Sequence, residues 1–204
     1  MMSPPKKSNT GLIVIIALVV VVLIGGGVVA AIALNSGKKN PTANNNPNNP
    51  SSTQTAGKTP TPIIPAGFKQ YNDKIYSIAY PNDWQVDSTN SAEDEVVFSG
   101  PDDQTFQVYT MEGASEGDEE TYNQSFCSAA NSDATLGSSV NITIGGATWK
   151  QLDCQSDGTL HVVIESVVHN GLLYIISYFS ISDSFNSGRS TYFVPMEQSF
   201  AFVG

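Results

Sequence analysis

The chain has 204 residues, with 19 acidic against 9 basic side chains, a net charge of −10 and two cysteines. The charge is partitioned: residues 1–65 carry five lysines and no acid, whereas residues 66–204 hold all 19 acids against Lys69, Lys74, Lys150 and Arg189, a net −15. A domain this acidic is repelled by phosphate backbones and anionic lipid, which excludes nucleic acid as a natural partner and favours cationic surfaces or divalent ions.

Residues 1–10 form a short polar tail, expected in the cytoplasm. Residues 11–34 follow as 24 consecutive residues without a charged side chain. At about 1.5 Å per helical residue they reach about 36 Å, enough to cross a hydrocarbon core of about 30 Å with some tilt. The expectation is a transmembrane signal anchor. A cleaved signal peptide is the alternative, with Ala31-Ile32-Ala33 as its cleavage box, although such apolar regions are usually shorter. The run is not followed by a lipidation cysteine, and its start lacks the acid of a pilin-like helix.

Lys6 and Lys7 precede this segment and Lys38 and Lys39 follow it, so flanking charge does not orient it. The short N-terminal flank and the cysteine-bearing C-terminal part place the N-terminus inside. The protein is thus expected in the cell membrane, single-pass, its C-terminal domain extracellular or periplasmic. Gly26 with Ala30 and Gly27 with Ala31 have the small-xxx-small spacing that lets two helices approach, and the oligomeric state stays open. Residues 35–65, rich in Asn, Pro, Thr and Ser, have too little apolar surface to order themselves and read as a linker. As a flexible coil of 31 residues it spans about 30 Å, holding residues 66–204 off the bilayer.

Residues 66–204 are one domain's worth of chain. Residues 75–80 alternate as a strand, Pro81-Asn82-Asp83 turns, and Trp84 is a core anchor. Residues 95–99 and 105–111 form a hairpin through Gly100-Pro101-Asp102-Asp103, residues with turn chemistry. Asp118 is expected to cap a helix with Glu119 and Glu120 in its first turn and a buried stripe of Tyr122, Phe126, Ala129 and Ala130. Residues 141–154 read as a strand bent at Gly145-Gly146 and closed by an Asp157-Gly158 turn.

The strongest local signal is Asn170-Gly171 between the apolar runs of residues 160–181. Asn-Gly suits a type I′ turn and sets the register, with Val168 facing Leu173, Ile164 facing Ser177 and Leu160 facing Ile181. That face is expected to be core. The other, with His161, Val163, Glu165, Val167 and His169 beside Tyr174, Ile176 and Tyr178, is expected to be partly covered. A second helix holds Phe185, Tyr192, Phe193 and Met196 on one stripe, with a kink or restart at Pro195, and Phe200 and Phe202 alternate as a short closing strand.

Tyr76-Ser77-Ile78-Ala79-Tyr80-Pro81-Asn82-Asp83-Trp84 resembles the opening of PsbP and Mog1-like domains. Residues 96–101, the Gly145-Gly146 strand, the Asn-Gly hairpin with Tyr174 and the stretch from Met196 to Phe202 follow in that family's order, over about residues 67–203. The resemblance implies an α+β fold, an antiparallel sheet flanked by helices as an α/β/α sandwich. It also implies a scaffold that binds other macromolecules without a common catalytic constellation, so no functional residue transfers.

The residues themselves offer little chemistry. His161 and His169, eight positions apart on one strand face, lie about 26 Å apart at about 3.3 Å per residue and cannot share a metal. A Gly-x-Ser-x-Gly elbow and a phosphate-cradling loop are both missing from the sequence. The acidic clusters Glu93-Asp94-Glu95, Asp102-Asp103 and Glu116 with Asp118, Glu119 and Glu120 lack an ordered calcium-loop spacing, and read as solvated edges or as a weak divalent-cation site. Cys127 and Cys154 are expected to form a disulfide outside the cytoplasm, with buried free thiols as the alternative. Tyr174 and Tyr178 are the candidate partner-facing aromatics, unless a helix covers them.

These features point to a membrane-tethered binding or accessory module that acts through a protein partner, with no catalysis and no cofactor expected. The rival readings are a carboxylate-based hydrolase and a surface sensor of a ligand or Ca2+.

Overall fold

A computed structural model describes residues 64–89, 95–130, 136–155 and 160–203. The expected membrane anchor, the linker up to residue 63, the cleavage site, Glu93-Asp94 and the Asp157-Gly158 turn lie outside the described residues. Among the described residues, no helix is long and apolar enough to cross a membrane.

Among the described residues, ten strands form two antiparallel sheets. The larger contains β3 (Gln85–Asp87), β4 (Glu95–Ser99), β5 (Thr105–Glu112), β6 (Val140–Ile144), β7 (Ala147–Gln155), β8 (Leu160–His169) and β9 (Leu172–Ile181), in the order β3-β4-β5-β9-β8-β7-β6. The smaller pairs β1 (Phe68–Asn72) and β10 (Ala201–Phe202) on either side of β2 (Tyr76–Pro81). Helix α1 (Glu119–Ala130) lies between β5 and β6 in sequence. At the C-terminus α2 (Ser182–Gly188), a π-helical turn (Arg189–Phe193) and α3 (Val194–Ser199) run in succession.

The β8–β9 hairpin has the register that Asn-Gly dictates: Val168 pairs with Leu173, Ile164 with Ser177 and Leu160 with Ile181. Asn170 and Gly171 sit at φ 52° and 80°, the left-handed values a type I′ turn requires. Residues on opposite faces of these strands feed two different cores. Val162, Ile164, Leu173, Ile175 and Phe179 pack with Tyr122 and Phe126 of α1. Val163, Val167, Tyr174, Ile176 and Tyr178 pack with Phe98, Phe106, Phe185, Phe193 and Met196.

The sequence assigns this second face to partial cover, and the structure corrects that: it carries the larger aromatic core. The reason lies in the chain's end. The C-terminal helical segment and the small sheet both fold over it, contributing Phe193, Met196, Phe200, Tyr76 and Ile78. One side of the large sheet is therefore covered by a helix, and the other by helix and strand together. The architecture is mostly antiparallel sheet with few helices, departing on that side from a simple α/β/α sandwich.

Pro195 sits in the first turn of α3, directly after the π-helical turn. There the Val194 N–H bonds back to the Arg189 carbonyl, five residues away. Proline has no N–H to give and crowds the carbonyl one turn back, and one widened turn relieves that crowding without ending the helix. Ser199 closes the segment. Its hydroxyl donates to the Met196 carbonyl at 2.7 Å and accepts the Ala79 N–H at 2.8 Å, tying the helix end to β2.

Candidate functional site

Two places on this frame gather polar chemistry. The first is a cleft of about 290 Å³ where the β1–β2 turn meets the ends of β4, β5 and β9. Its walls include Tyr71 and Tyr76, and its acids are Asp73, Glu95 and Glu112, with Lys74 as the cation. The turn that builds it is locally encoded. The Asp73 carboxylate accepts the Ile75 N–H at 3.3 Å and the Asp73 N–H donates to the Tyr76 carbonyl at 2.9 Å, an Asx-type closure that leaves the other carboxylate oxygen free of that bond.

Tyr76 is 2% exposed and its hydroxyl oxygen is buried without a hydrogen-bond partner. Burial first, then the neighbouring Tyr71 and the negative charge of Asp73, hold its pKa well above the ordinary phenol value. The hydroxyl is thus neutral and senses the cleft's own groups. Tyr71 is shifted upward as well, by burial and then by Asp73, against a hydrogen bond with Ser88.

The second place is an acid pair in the larger core. Glu165, on β8, is fully buried, and Glu197, on α3, is nearly so. Gln151 Nε2 donates to Glu165 Oε1 at 2.6 Å, and the Tyr178 hydroxyl donates to the same oxygen at 3.5 Å. Burial, and then the charge of Glu197, push Glu165 well above the ordinary carboxyl range. Burial also raises Glu197, while Tyr178, Arg189 and Glu165 act in the opposite direction. Both carboxyls are thus held toward their neutral forms, Glu165 the more strongly. Glu165 Oε2 and Glu197 Oε1 are buried without a hydrogen-bond partner, a further reason for the neutral form to be favoured.

An acid pair of this kind differs from a glycosidase pair, which flanks a substrate across an open cleft of about 5 to 10 Å. Here the two carboxyls face each other inside packed side chains. The sequence signal was present: Glu165 interrupts the otherwise apolar Val162-Val163-Ile164 and Val167-Val168 runs. Its partner, brought from 32 positions away by the helix layer, has no local mark.

The other candidates are placed as follows. Cys127 and Cys154 form a disulfide, Cα to Cα 5.6 Å, joining α1 to β7. Tyr174 and Tyr178, candidate partner-facing aromatics unless a helix covered them, are 3% and 0% exposed. Tyr174 meets the edges of Phe200 and Phe202, and Tyr178 stacks on Phe106 and Phe185, because the C-terminal segment covers their face. His161 pairs with Asp153 at 2.7 Å and stacks on Phe185, and His169 stacks on Phe202.

Asp118 before α1 and Glu119 and Glu120 in its first turn hold backbone. Asp118 accepts the Ser115 N–H, Glu119 the Gly117 N–H at 2.8 Å, and Glu120 the Ser139 N–H at 3.1 Å. Among the described residues, no three His, Cys, Asp or Glu side chains are grouped to hold a metal ion.

No protein-family model matches the chain, and no curated protein matches it in sequence. Solved structures do. The cyanobacterial PsbP (CyanoP) of Synechocystis sp. PCC 6803 superposes with a TM-score of 0.53 at 18% identity, covering 74% of this chain and 99% of that one. LpqN of Mycobacterium tuberculosis, described as involved in cell envelope biogenesis, aligns at a TM-score of 0.42 and 13% identity, over 67% of this chain and 92% of its own. The folded part is therefore a PsbP-like domain in fold.

Proposed function

We propose that this protein is a non-catalytic binding module, held outside a membrane by residues 11–34 and acting through a protein partner. The observation that carries this reading is the cleft beside Tyr71 and Tyr76. It combines the solvent-reached carboxylates of Asp73 and Glu112, the half-buried Tyr71 ring and a buried hydroxyl whose hydrogen bond is unmade. Buried polar atoms are normally satisfied, and an exception beside a cleft marks a place where a ligand completes the bonding. The PsbP-like fold supports the same reading at the level of scaffold alone. A linker over residues 35–65 would give the domain the reach a tethered binder needs.

The carboxylate-hydrolase reading draws no support from Glu165, which substrate cannot reach. The test of the binding reading is site-specific photo-crosslinking of the full chain in its native membrane. A crosslinker at Ser88, on the cleft, is expected to give a discrete adduct that one at Ser125, on the exposed side of α1, does not. Identical patterns at both positions, or no adduct at either, would overturn it.

A further inference from the structure

The ligand class follows from the cleft's chemistry and rests on the binding reading above. We propose that the cleft between the β1–β2 turn and the β4–β5 strands receives a basic side chain, an arginine or lysine presented by the partner protein.

Three observations converge. Asp73 and Glu112 at the opening, with Glu95 buried in the wall behind them, outnumber Lys74, so the cleft carries excess negative charge within a domain of net −15, and an anionic ligand is repelled. Tyr71, half-buried on the cleft wall, offers a ring that attracts a cation through its quadrupole. The Tyr76 hydroxyl oxygen, buried and unpartnered, can accept an N–H from a guanidinium or ammonium.

Size points the same way. A space of about 290 Å³ lies at the lower end of small-molecule sites, about 300 to 1,000 Å³, and suits one extended side chain better than a whole cofactor. A bare divalent ion would need several oxygens converging at about 2.0 to 2.6 Å, and no metal-ready grouping occurs among the described residues. A long basic side chain reaches carboxylates that stand apart.

Met111 lines the cleft while Met196 is buried in the aromatic core, which supplies a built-in reporter and control. The full chain, 13C-labelled at methionine methyls and held in lipid nanodiscs, is titrated with N-acetyl-arginine methylamide. N-acetyl-citrulline methylamide, the neutral isostere, and Ca2+ are run beside it. A saturable shift of the Met111 methyl is expected with the arginine probe, with Met196 unmoved and the citrulline probe at least tenfold weaker.

Asp73→Asn keeps the oxygen that closes the turn and, combined with Glu112→Gln on the exposed rim, is expected to weaken the arginine probe at least tenfold. Tyr76→Phe is expected to weaken it several-fold without lowering the melting temperature. Equal response to arginine and citrulline, no Met111 response, or a Met111 response to Ca2+ alone would each overturn the proposal. If the Ser88 crosslink persists in that event, only the ligand class is wrong; if it is absent too, the binding reading falls with it.

Discussion

Single atoms decide much of this fold's stability. The Ser199 hydroxyl serves both the Ala79 N–H and the Met196 carbonyl in a buried setting. Removing it orphans a buried donor, so Ser199→Ala is expected to cost about 1 to 3 kcal/mol, read by urea unfolding of the full chain in micelles through Trp84 and Trp149. Glu165 acts with the opposite sign. Its folded pKa is raised, so the folded state holds a proton that the unfolded chain releases above about 4.3. Stability from this group is therefore fully present below that pH and is lost as pH rises through the folded value.

Glu165→Gln keeps an oxygen for Gln151 and supplies N–H donors toward Glu197 without a charge to bury. The variant is expected to be more stable than the parent at pH 7, with the difference shrinking as pH falls to 4. A difference independent of pH would contradict a raised Glu165 in the folded state. The residue's burial is hard to read in advance, because alternation says only that it shares a face with Val163 and Val167, not that the C-terminal helix closes over that face.

At the scale of elements, the disulfide and the close packing of one turn are the points of leverage. Cys127 and Cys154 are 27 positions apart and pin α1 to β7. In the chain-entropy treatment, closing such a loop contributes about 3.5 kcal/mol. Paired Cys127→Ala and Cys154→Ala substitution is expected to lower unfolding free energy by that order, and an unchanged midpoint would contradict it. Gly100, between β4 and the following turn, lies against the Trp84 indole so closely that a Cβ would overlap the ring. Gly100→Ala is expected to cost about 1 to 3 kcal/mol, visible as a shift in Trp84 fluorescence as well as in the melting temperature.

The sequence makes some of these elements plain and hides others for physical reasons. The Asn170-Gly171 hairpin is legible to the residue because its turn type admits only one register. The β4–β5 hairpin is legible from Gly100-Pro101-Asp102-Asp103, whose two aspartates occupy left-handed φ of 54° and 61°. Strand β1 is not legible: Phe68-Lys69-Gln70-Tyr71-Asn72 is polar, and it exists because β2 offers it an edge. The cleft is hidden for the same reason, since Tyr71 and Asp73 meet Glu95 and Glu112 only when two sheets are packed together. Tyr174 and Tyr178 look exposed in sequence because the residues that bury them are remote in the chain.

At the scale of the whole molecule, the proposed function requires that the acidic PsbP-like domain be held at a membrane by residues 11–34. The charge split between residues 1–65 and 66–204 is compatible with that proposal, since an anionic surface attracts lysines and repels the acidic domain. Protease added to intact cells is expected to remove the domain, and protection until the membrane is permeabilised would contradict the proposed orientation. The most direct measurement of the central claim is the yield of the Ser88 photo-crosslink in native membranes, compared between the parent chain and the Asp73→Asn, Glu112→Gln double variant at equal expression. A binding cleft that recognises basic side chains requires the yield to fall at least several-fold in the variant, and an adduct of unchanged identity and yield would contradict it.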